Sequence, residues 1–377
     1  MDARDKLARL AADAQYDLSC ACGTKDQDRR VRGADGMWVY PAAVPSGGKA
    51  LILKSLLTNA CGNDCRYCPL RRGRDTPRTT LQPDDMARLF IDYQRRRNLH
   101  GLFLTSGVPR DADHAMRQIV DTAAILRRKY AYRGFLHLKI IPGASDGAIE
   151  AALALASTVS LNVEAPTRST FERLTRAKRF ERDVVEPIRK ISQWTARGGR
   201  YARVKQTTQF VVGAAGERDR EIVTATHRLY RKLRLNRVYF SAYQRARDAE
   251  DAHRPAPSAD AGDYVPQDLL TREHRLYQVD FLLRKYKWEL EDVAFEDDGN
   301  LSLAADPKLA WARRHPEAFP VPLRTASKQQ LLRVPGLGPI TVGRILQARR
   351  SGGLRGLRDV GVTGKRLAKA DPYVVAR

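Results

Sequence analysis

The chain has 377 residues, 43% of them hydrophobic, and a formal net charge of +24. That length supports one large domain with a small one, or two medium domains. It contains no apolar run of about 18 residues that would cross a membrane, and Met1–Lys6 lacks the basic-then-apolar order of a secretory signal. Five cysteines, three of them clustered, argue against a disulfide framework and for a reducing, cytoplasmic setting.

The chain order begins with an N-terminal extension, 1–48, that carries Cys20 and Cys22. These two thiols read as buried and inert, with an auxiliary cluster or a redox role as the alternative. From about 49 to 245, short β-rich runs alternate with longer charged runs of helical period. Strands are predicted at Leu51–Leu57, Gly101–Thr105, Phe135–Ile141, Val159–Val163, Val204–Val212 and Arg237–Ala242. Helices are predicted at 84–98, 113–130, 146–157, 168–197 (broken near Glu186-Pro187) and 217–233. Such β-then-α repeats imply an α/β fold with a parallel sheet, either a closed or partial barrel or an open doubly wound sheet. A polar, proline-containing loop is predicted at 246–265, then a helix at 267–287. Residues 246–320 as a whole read as linker and additional helices, with a proline-rich connector between Asp306 and Pro322. Beyond the β/α alternation no repeat is evident.

The densest chemical signal is Cys61-Gly62-Asn63-Asp64-Cys65-Arg66-Tyr67-Cys68, a Cys-x3-Cys-x2-Cys loop directly after the first predicted strand. Three thiolates on one loop suit a [4Fe–4S] cluster with one iron left open. The alternative is a zinc knuckle with a histidine as fourth ligand, although zinc sites usually add a second close pair downstream and none exists here.

With Tyr67 before the third cysteine and a strand before the first, the loop resembles the signature of the radical S-adenosylmethionine (SAM) enzymes. The resemblance implies a partial (β/α)6 TIM-like barrel holding a [4Fe–4S] cluster and S-adenosylmethionine. It also implies reductive cleavage of the sulfonium to a 5′-deoxyadenosyl radical, with an electron donor such as flavodoxin or ferredoxin. Carried onto this chain, it marks Thr105, Ser106 and Gly107 after the second strand, although the family's glutamate after the glycine is missing. It also marks Asn162 and Glu164 at the end of the fourth strand and Gly213 after the fifth as cofactor-binding residues. Alternation along the strand puts Asn162 and Glu164 on one face. Lys54, Lys139, Lys205 and Arg203 are further candidates to face an anionic substrate.

The last segment, 321–377, carries twelve Lys and Arg against Asp359 and Asp371 as its only acids. Ser327 and Gln330 form a predicted capping box, and Pro335-Gly336-Leu337-Gly338 precedes a second helix. This resembles the helix-hairpin-helix motif, an all-α nucleic-acid-binding unit. The resemblance implies phosphate contacts at Gly336 and Gly338, with Arg344, Arg349 and Arg350 alongside. The whole order, from cysteine loop to hairpin, resembles a radical SAM family associated with DNA modification or repair and often encoded beside a uracil-DNA glycosylase-like protein. The expectation is an enzyme acting on DNA, with a nucleic acid and an electron donor as partners and no membrane. An RNA-modifying enzyme and a non-enzymatic iron–sulfur DNA-binding or redox-sensing protein are the alternatives.

Overall fold

The computed structural model describes residues 1–14, 31–32, 38–43, 49–243 and 266–376. Cys20, Cys22 and the loop predicted at 246–265 thus lie outside the described residues. The described chain divides into two compact units, one of residues 1–217 with 228–274, the other of 218–227 with 275–377.

In the first unit, helix α1 (Ala3–Asp13) precedes strands β1 (Val31–Arg32), β2 (Trp38–Ala43) and β3 (Lys49–Leu56). Then come α2 (Pro83–Arg97), β4 (Gly101–Thr105), α3 (Ala112–Ala124) and β5 (Phe135–Lys139). These are followed by α4 (Asp146–Leu153), β6 (Thr158–Ser160), α5 (Arg168–Leu174), α6 (Glu186–Thr195), β7 (Lys205–Val212), α7 (Asp219–Leu233), of which residues 219–227 fall in the second unit, and β8 (Arg237–Ala242). Strands β3 to β8 pair in sequence order and all in parallel, while β2 lies antiparallel beside β3 and β1 antiparallel beside β2. The order is linear, so the β2–β8 sheet is a curled half-barrel and the partial-barrel expectation holds. Its helices start and stop for local reasons. Helix α2 has Pro83 at its first turn with Asp84 and Asp85, ends on Arg95, Arg96 and Arg97, and closes on Asn98 in the left-handed region (φ 50°). Each of these complements the helix dipole or its unpaired end groups. Leu53, Leu102, Phe90, Phe171, Phe210 and Phe240 are fully buried and fill the core.

Two predicted elements differ. Strand β6 leaves its ladder at Ser160, yet Glu164 pairs again with Phe210. Ser160 faces Thr207, so four steps on one strand match three on the other, which is a one-residue bulge. The Thr208 hydroxyl fills the gap, donating to the Leu161 carbonyl (2.7 Å) and accepting from Val163 N–H (2.9 Å). The helix predicted over 168–197 breaks after Leu174 and resumes as a π-helical turn, Phe180–Val185, before α6. Glu186-Pro187 forms the first turn of α6, where proline costs nothing.

The second unit includes the end of α8 (Pro266–Lys285), then α9 (Pro307–Arg314), β9 (Val321–Pro322), α10 (Lys328–Arg333), α11 (Pro339–Arg350), α12 (Gly364–Ala370) and β10 (Val374–Val375), with β9 parallel to β10. Its core joins Leu282, Tyr286, Trp288 and Trp311 to Leu331, Val342, Ile345 and Leu357. Leu282, Tyr286, Trp288, Trp311 and Ala312, from the stretch read as linker and connector, therefore belong to this core: two tryptophans 6.0 Å apart are too much apolar surface to leave in a linker. The predicted capping box is present, with Gln330 N–H on Ser327 Oγ (3.2 Å) and Ser327 N–H on Gln330 Oε1 (2.8 Å). Helices α10 and α11 meet at Gly336 (φ 83°), and the 3-10 turn Leu357–Val360 meets α12 through Gly361 (φ 76°). The glycine hairpin thus occurs twice, a short repeat that the sequence reading did not separate from the basic tail.

Candidate active site

The cysteine loop follows β3 and is held on three sides. Gly107 N–H donates to the Thr58 carbonyl (2.7 Å) and Gly62 N–H to the Val108 carbonyl (2.8 Å), so the turn after β4 forms one wall. A Cβ on Gly107 would stand 2.3 Å from the Ala60 carbonyl oxygen, which is why glycine is needed there. From inside, the Arg78 guanidinium donates to the carbonyls of Asn59 (2.5 Å), Leu70 (2.8 Å), Arg71 (3.0 Å) and Arg74 (3.2 Å). The Asn59 side chain accepts from Thr79 N–H (2.7 Å) and donates to Asp13 (2.8 Å). On the third side, the Asp64 carboxylate accepts from the Thr175 hydroxyl (2.5 Å), Arg176 N–H (3.1 Å) and Ala177 N–H (3.2 Å). Those bonds to the break after α5 hold the Asp64 carboxyl below its usual range despite burial.

All three thiols, Cys61, Cys65 and Cys68, are free. Burial, and then the charge of Cys65 and Cys61 beside it, pushes the Cys68 thiol up to about 12. Three thiols that oppose one another's ionisation are a donor set for a cationic partner, since a bound metal deprotonates a coordinating thiol outright. Among the described residues no three His, Cys, Asp or Glu side chains are grouped to hold a single ion. Thiolates spread along a loop suit a [4Fe–4S] cluster.

Lys178 reaches this loop from the α5–α6 break. Burial opposes its charge, but the neighbouring Cys65 thiolate and Glu164, with a hydrogen bond to Cys65, hold the ammonium above its usual range. The Tyr67 hydroxyl donates to Glu164 Oε1 at 2.8 Å. Burial, then Glu164 and the thiolates, raise its ionisation well above the ordinary phenol value. Glu164 itself is buried and left-handed (φ 62°), a strained backbone that follows from the bulge. Asn162 is buried beside it and accepts from Lys139 Nζ (2.7 Å), while its amide lies 3.5 Å from Glu164 Oε2. The two side chains do share one side, but the bulge and not plain alternation brings them together.

Thr105 closes β4 with its carbonyl on Leu57 N–H (2.9 Å), and Ser106 and Gly107 continue into the wall of the cysteine loop. The structure thus gathers Cys61, Cys65, Cys68, Thr105–Gly107, Asn162 and Glu164. Gly213 has its own local reason for being glycine. It is left-handed (φ 85°), its N–H donates to Glu217 (2.5 Å), and where a Cβ would stand Leu269 lies at 2.5 Å. The close approach expected there is made by Leu269. Of the four basic candidates, Lys54 (over the Phe103 ring, 4.6 Å) and Lys139 are buried, while Arg203 and Lys205 are exposed.

In the second unit, Gly336 makes the left-handed turn and Gly338 starts α11 with no side-chain cap. Arg344 and Arg350 are exposed. Arg349 corrects the sequence reading: its guanidinium is turned inward onto the carbonyls of Leu323 and Ala326 (2.7 Å to the latter), so it braces the fold and does not face a phosphate. Arg78 and Lys178 were missed altogether.

A half-barrel with a three-cysteine loop after its first parallel strand, buttressed at the ends of the second and fourth, defines a class of iron–sulfur enzyme. Residues 55–229 match the family model of the radical SAM superfamily. The chain carries a radical SAM domain over those residues, and members of that family use a [4Fe–4S] cluster and S-adenosylmethionine. Similar solved structures include the FeFe-hydrogenase maturase HydG from Carboxydothermus hydrogenoformans, at 15% identity and TM-score 0.44, over 61% of this chain and 51% of that one. Methylornithine synthase (PylB) is similar at 13% identity and TM-score 0.45, over 61% and 62%. The chain thus spans about half the length of the HydG structures it matches. No curated protein matches it. Among the described residues no helix is long and apolar enough to cross a membrane.

Proposed function

We propose that this radical SAM enzyme acts on DNA, in modification or repair. Cys61, Cys65 and Cys68 hold the cluster, and Thr105–Gly107, Asn162 and Glu164 receive the cofactor. Held there, the cluster and S-adenosylmethionine would supply one-electron radical chemistry toward the substrate. The chain's own part is positioning. Tyr67 holds Glu164 and Lys139 holds Asn162, and Lys139, Asn162 and Glu164 are buried. Preorganised polar groups of this kind bind without reorganising.

The observation that carries the DNA reading is the start of α11. Gly338 caps it with no side chain in the way, Gly336 makes the turn, and exposed Arg344 and Arg350 follow on the same helix. A helix start left open can take a phosphate, and the exposed Arg344, midway along α11, and Arg350, at its far end, add positive charge to the same helix. A base inside a duplex is out of a radical's reach, so the target nucleotide is flipped out or single-stranded.

The test compares binding of duplex DNA, single-stranded DNA and structured RNA to wild type and Arg344→Glu/Arg350→Glu across a salt series. DNA binding should weaken in the variant and its salt slope should fall by about 1 to 2 units, with cluster content unchanged. Preference for structured RNA would move the substrate to RNA, and binding indifferent to the variant would remove the hairpin from the account.

A further inference from the structure

The start of α11 has neighbours that its own hairpin does not supply. Tyr286, just after α8, is only 6% exposed, and its ring belongs to the core of the second unit. Its hydroxyl is directed at the hairpin: a Cβ on Gly338 would stand 3.6 Å from it. Among the described residues that hydroxyl has no hydrogen-bond partner. A phenol buried this far is costly to leave unpaired unless something outside the chain accepts from it. Burial also raises its ionisation, so it keeps the proton it would donate. Arg366 arrives from α12 and donates to the Thr341 hydroxyl, in the first turn of α11 (2.7 Å). This guanidinium is exposed and carries further N–H groups beyond that one. The N–H groups of Ile340 and Thr341 have no acceptor within the helix, and no side chain caps them. Backbone, phenol and guanidinium thus converge on the start of one helix.

The same place is apolar where a surface is normally polar. Among the described residues the exposed large apolar side chains are Met1, Phe281 and Ile340. Two of the three are here. Ile340, 74% exposed, is the second residue of α11, and Phe281, 42% exposed, sets its ring against Tyr286 (centroids 5.6 Å apart). Lys285, one helical turn after Phe281, and Lys287 are exposed beside them. We infer that this surface binds an unstacked nucleic-acid strand, with a phosphate between α11, Tyr286 and Arg366 and bases against Ile340 and Phe281. The inference rests on the nucleic-acid reading above and narrows it to a strand whose bases are free. A duplex offers the same phosphates but keeps its base faces stacked inside, out of reach of Ile340 and Phe281. Cations that follow a backbone beside apolar and aromatic groups that take base faces are what single-strand binding requires.

The test uses the full chain and a fluorescein-labelled DNA strand, alone or annealed to its complement, with binding followed by anisotropy across a salt series. Tyr286→Phe should weaken binding of both forms by about tenfold. Its salt slope should not change, because no charge is removed. Its thermal midpoint should stay level or rise, since the hydroxyl has no partner within the described chain to lose. Arg366→Gln should lower the salt slope by about 1. Ile340→Ala and Phe281→Ala should each weaken the single strand by about five- to tenfold and leave the duplex within about twofold. Ile340→Ala carries that comparison alone if Phe281→Ala lowers the thermal midpoint. Single-strand binding indifferent to Tyr286→Phe, or equal effects of Ile340→Ala on both forms, would overturn the inference and leave the DNA reading standing. A wild-type chain that binds no nucleic acid would overturn both.

Discussion

Gly107→Ala is the sharpest local perturbation of the cysteine loop. The new Cβ would stand 2.3 Å from the Ala60 oxygen and 3.0 Å from both the Ala60 carbonyl carbon and the Thr58 oxygen. Ordinary contact begins near 3.4 Å, so backbone has to move by roughly 1 Å, and a functional constellation tolerates about 0.5 Å. The segment that moves ends at Cys61. The Gly107–Thr58 hydrogen bond (2.7 Å) stretches with it. Overpacking of this kind costs about 1–3 kcal/mol, and the weakened hydrogen bond adds about 1 kcal/mol. Gly147 provides the control: it is exposed, lies in α4, and a Cβ there meets nothing within 4 Å. Gly147→Ala should be neutral or stabilising by about 0.5–1 kcal/mol. The assays are iron and sulfide per chain after anaerobic reconstitution and the thermal midpoint of the metal-free protein. Gly107→Ala should lose cluster and stability together. Full iron content at an unchanged midpoint would refute the claim that the turn after β4 positions the cysteines.

Other expectations follow from buried polar groups. Tyr67→Phe leaves Glu164 buried without its 2.8 Å donor, a loss of about 1–3 kcal/mol; it should weaken S-adenosylmethionine binding in equilibrium titration while iron content stays near wild type. Lys308 is buried, donates to the Leu337 carbonyl of the hairpin (2.6 Å), and has its ionisation lowered by burial from 10.5 to about 7. Between those values the unfolded chain holds a proton that the folded chain has released, so stability rises with pH over about 7 to 10.5 and levels off below about 7. Denaturant titrations read through Trp288 and Trp311, which share that core, should show this slope, and Lys308→Met should remove it.

Much of the barrel was legible because strands buried on both faces read as continuous apolar runs. The bounds of Gly101–Thr105 and Arg237–Ala242 match those predicted. The bulge after Ser160 was not legible, since the alternating pattern of Val159–Glu164 runs through it unchanged and only the register with β7 reveals the extra residue. Among the site residues, the cysteines announce themselves by spacing. Arg78 and Lys178 carry no local signal: one serves carbonyls up to 19 residues away, and the other meets Cys65 only after α5 and its break bring it back. Arg349 shows the converse, a basic residue in a basic tail whose charge is directed at the protein's own carbonyls.

The central claim is that Cys61, Cys65 and Cys68 hold a cluster with one iron left for S-adenosylmethionine. The direct measurement is anaerobic reconstitution followed by electron paramagnetic resonance of the reduced protein, with and without S-adenosylmethionine, and quantitation of 5′-deoxyadenosine. Wild type should bind about four irons, change its spectrum when S-adenosylmethionine is added and form 5′-deoxyadenosine. Cys61→Ala, Cys65→Ala and Cys68→Ala should each abolish that product. Undiminished 5′-deoxyadenosine from any one of these variants, or a wild-type spectrum indifferent to S-adenosylmethionine, would contradict the account.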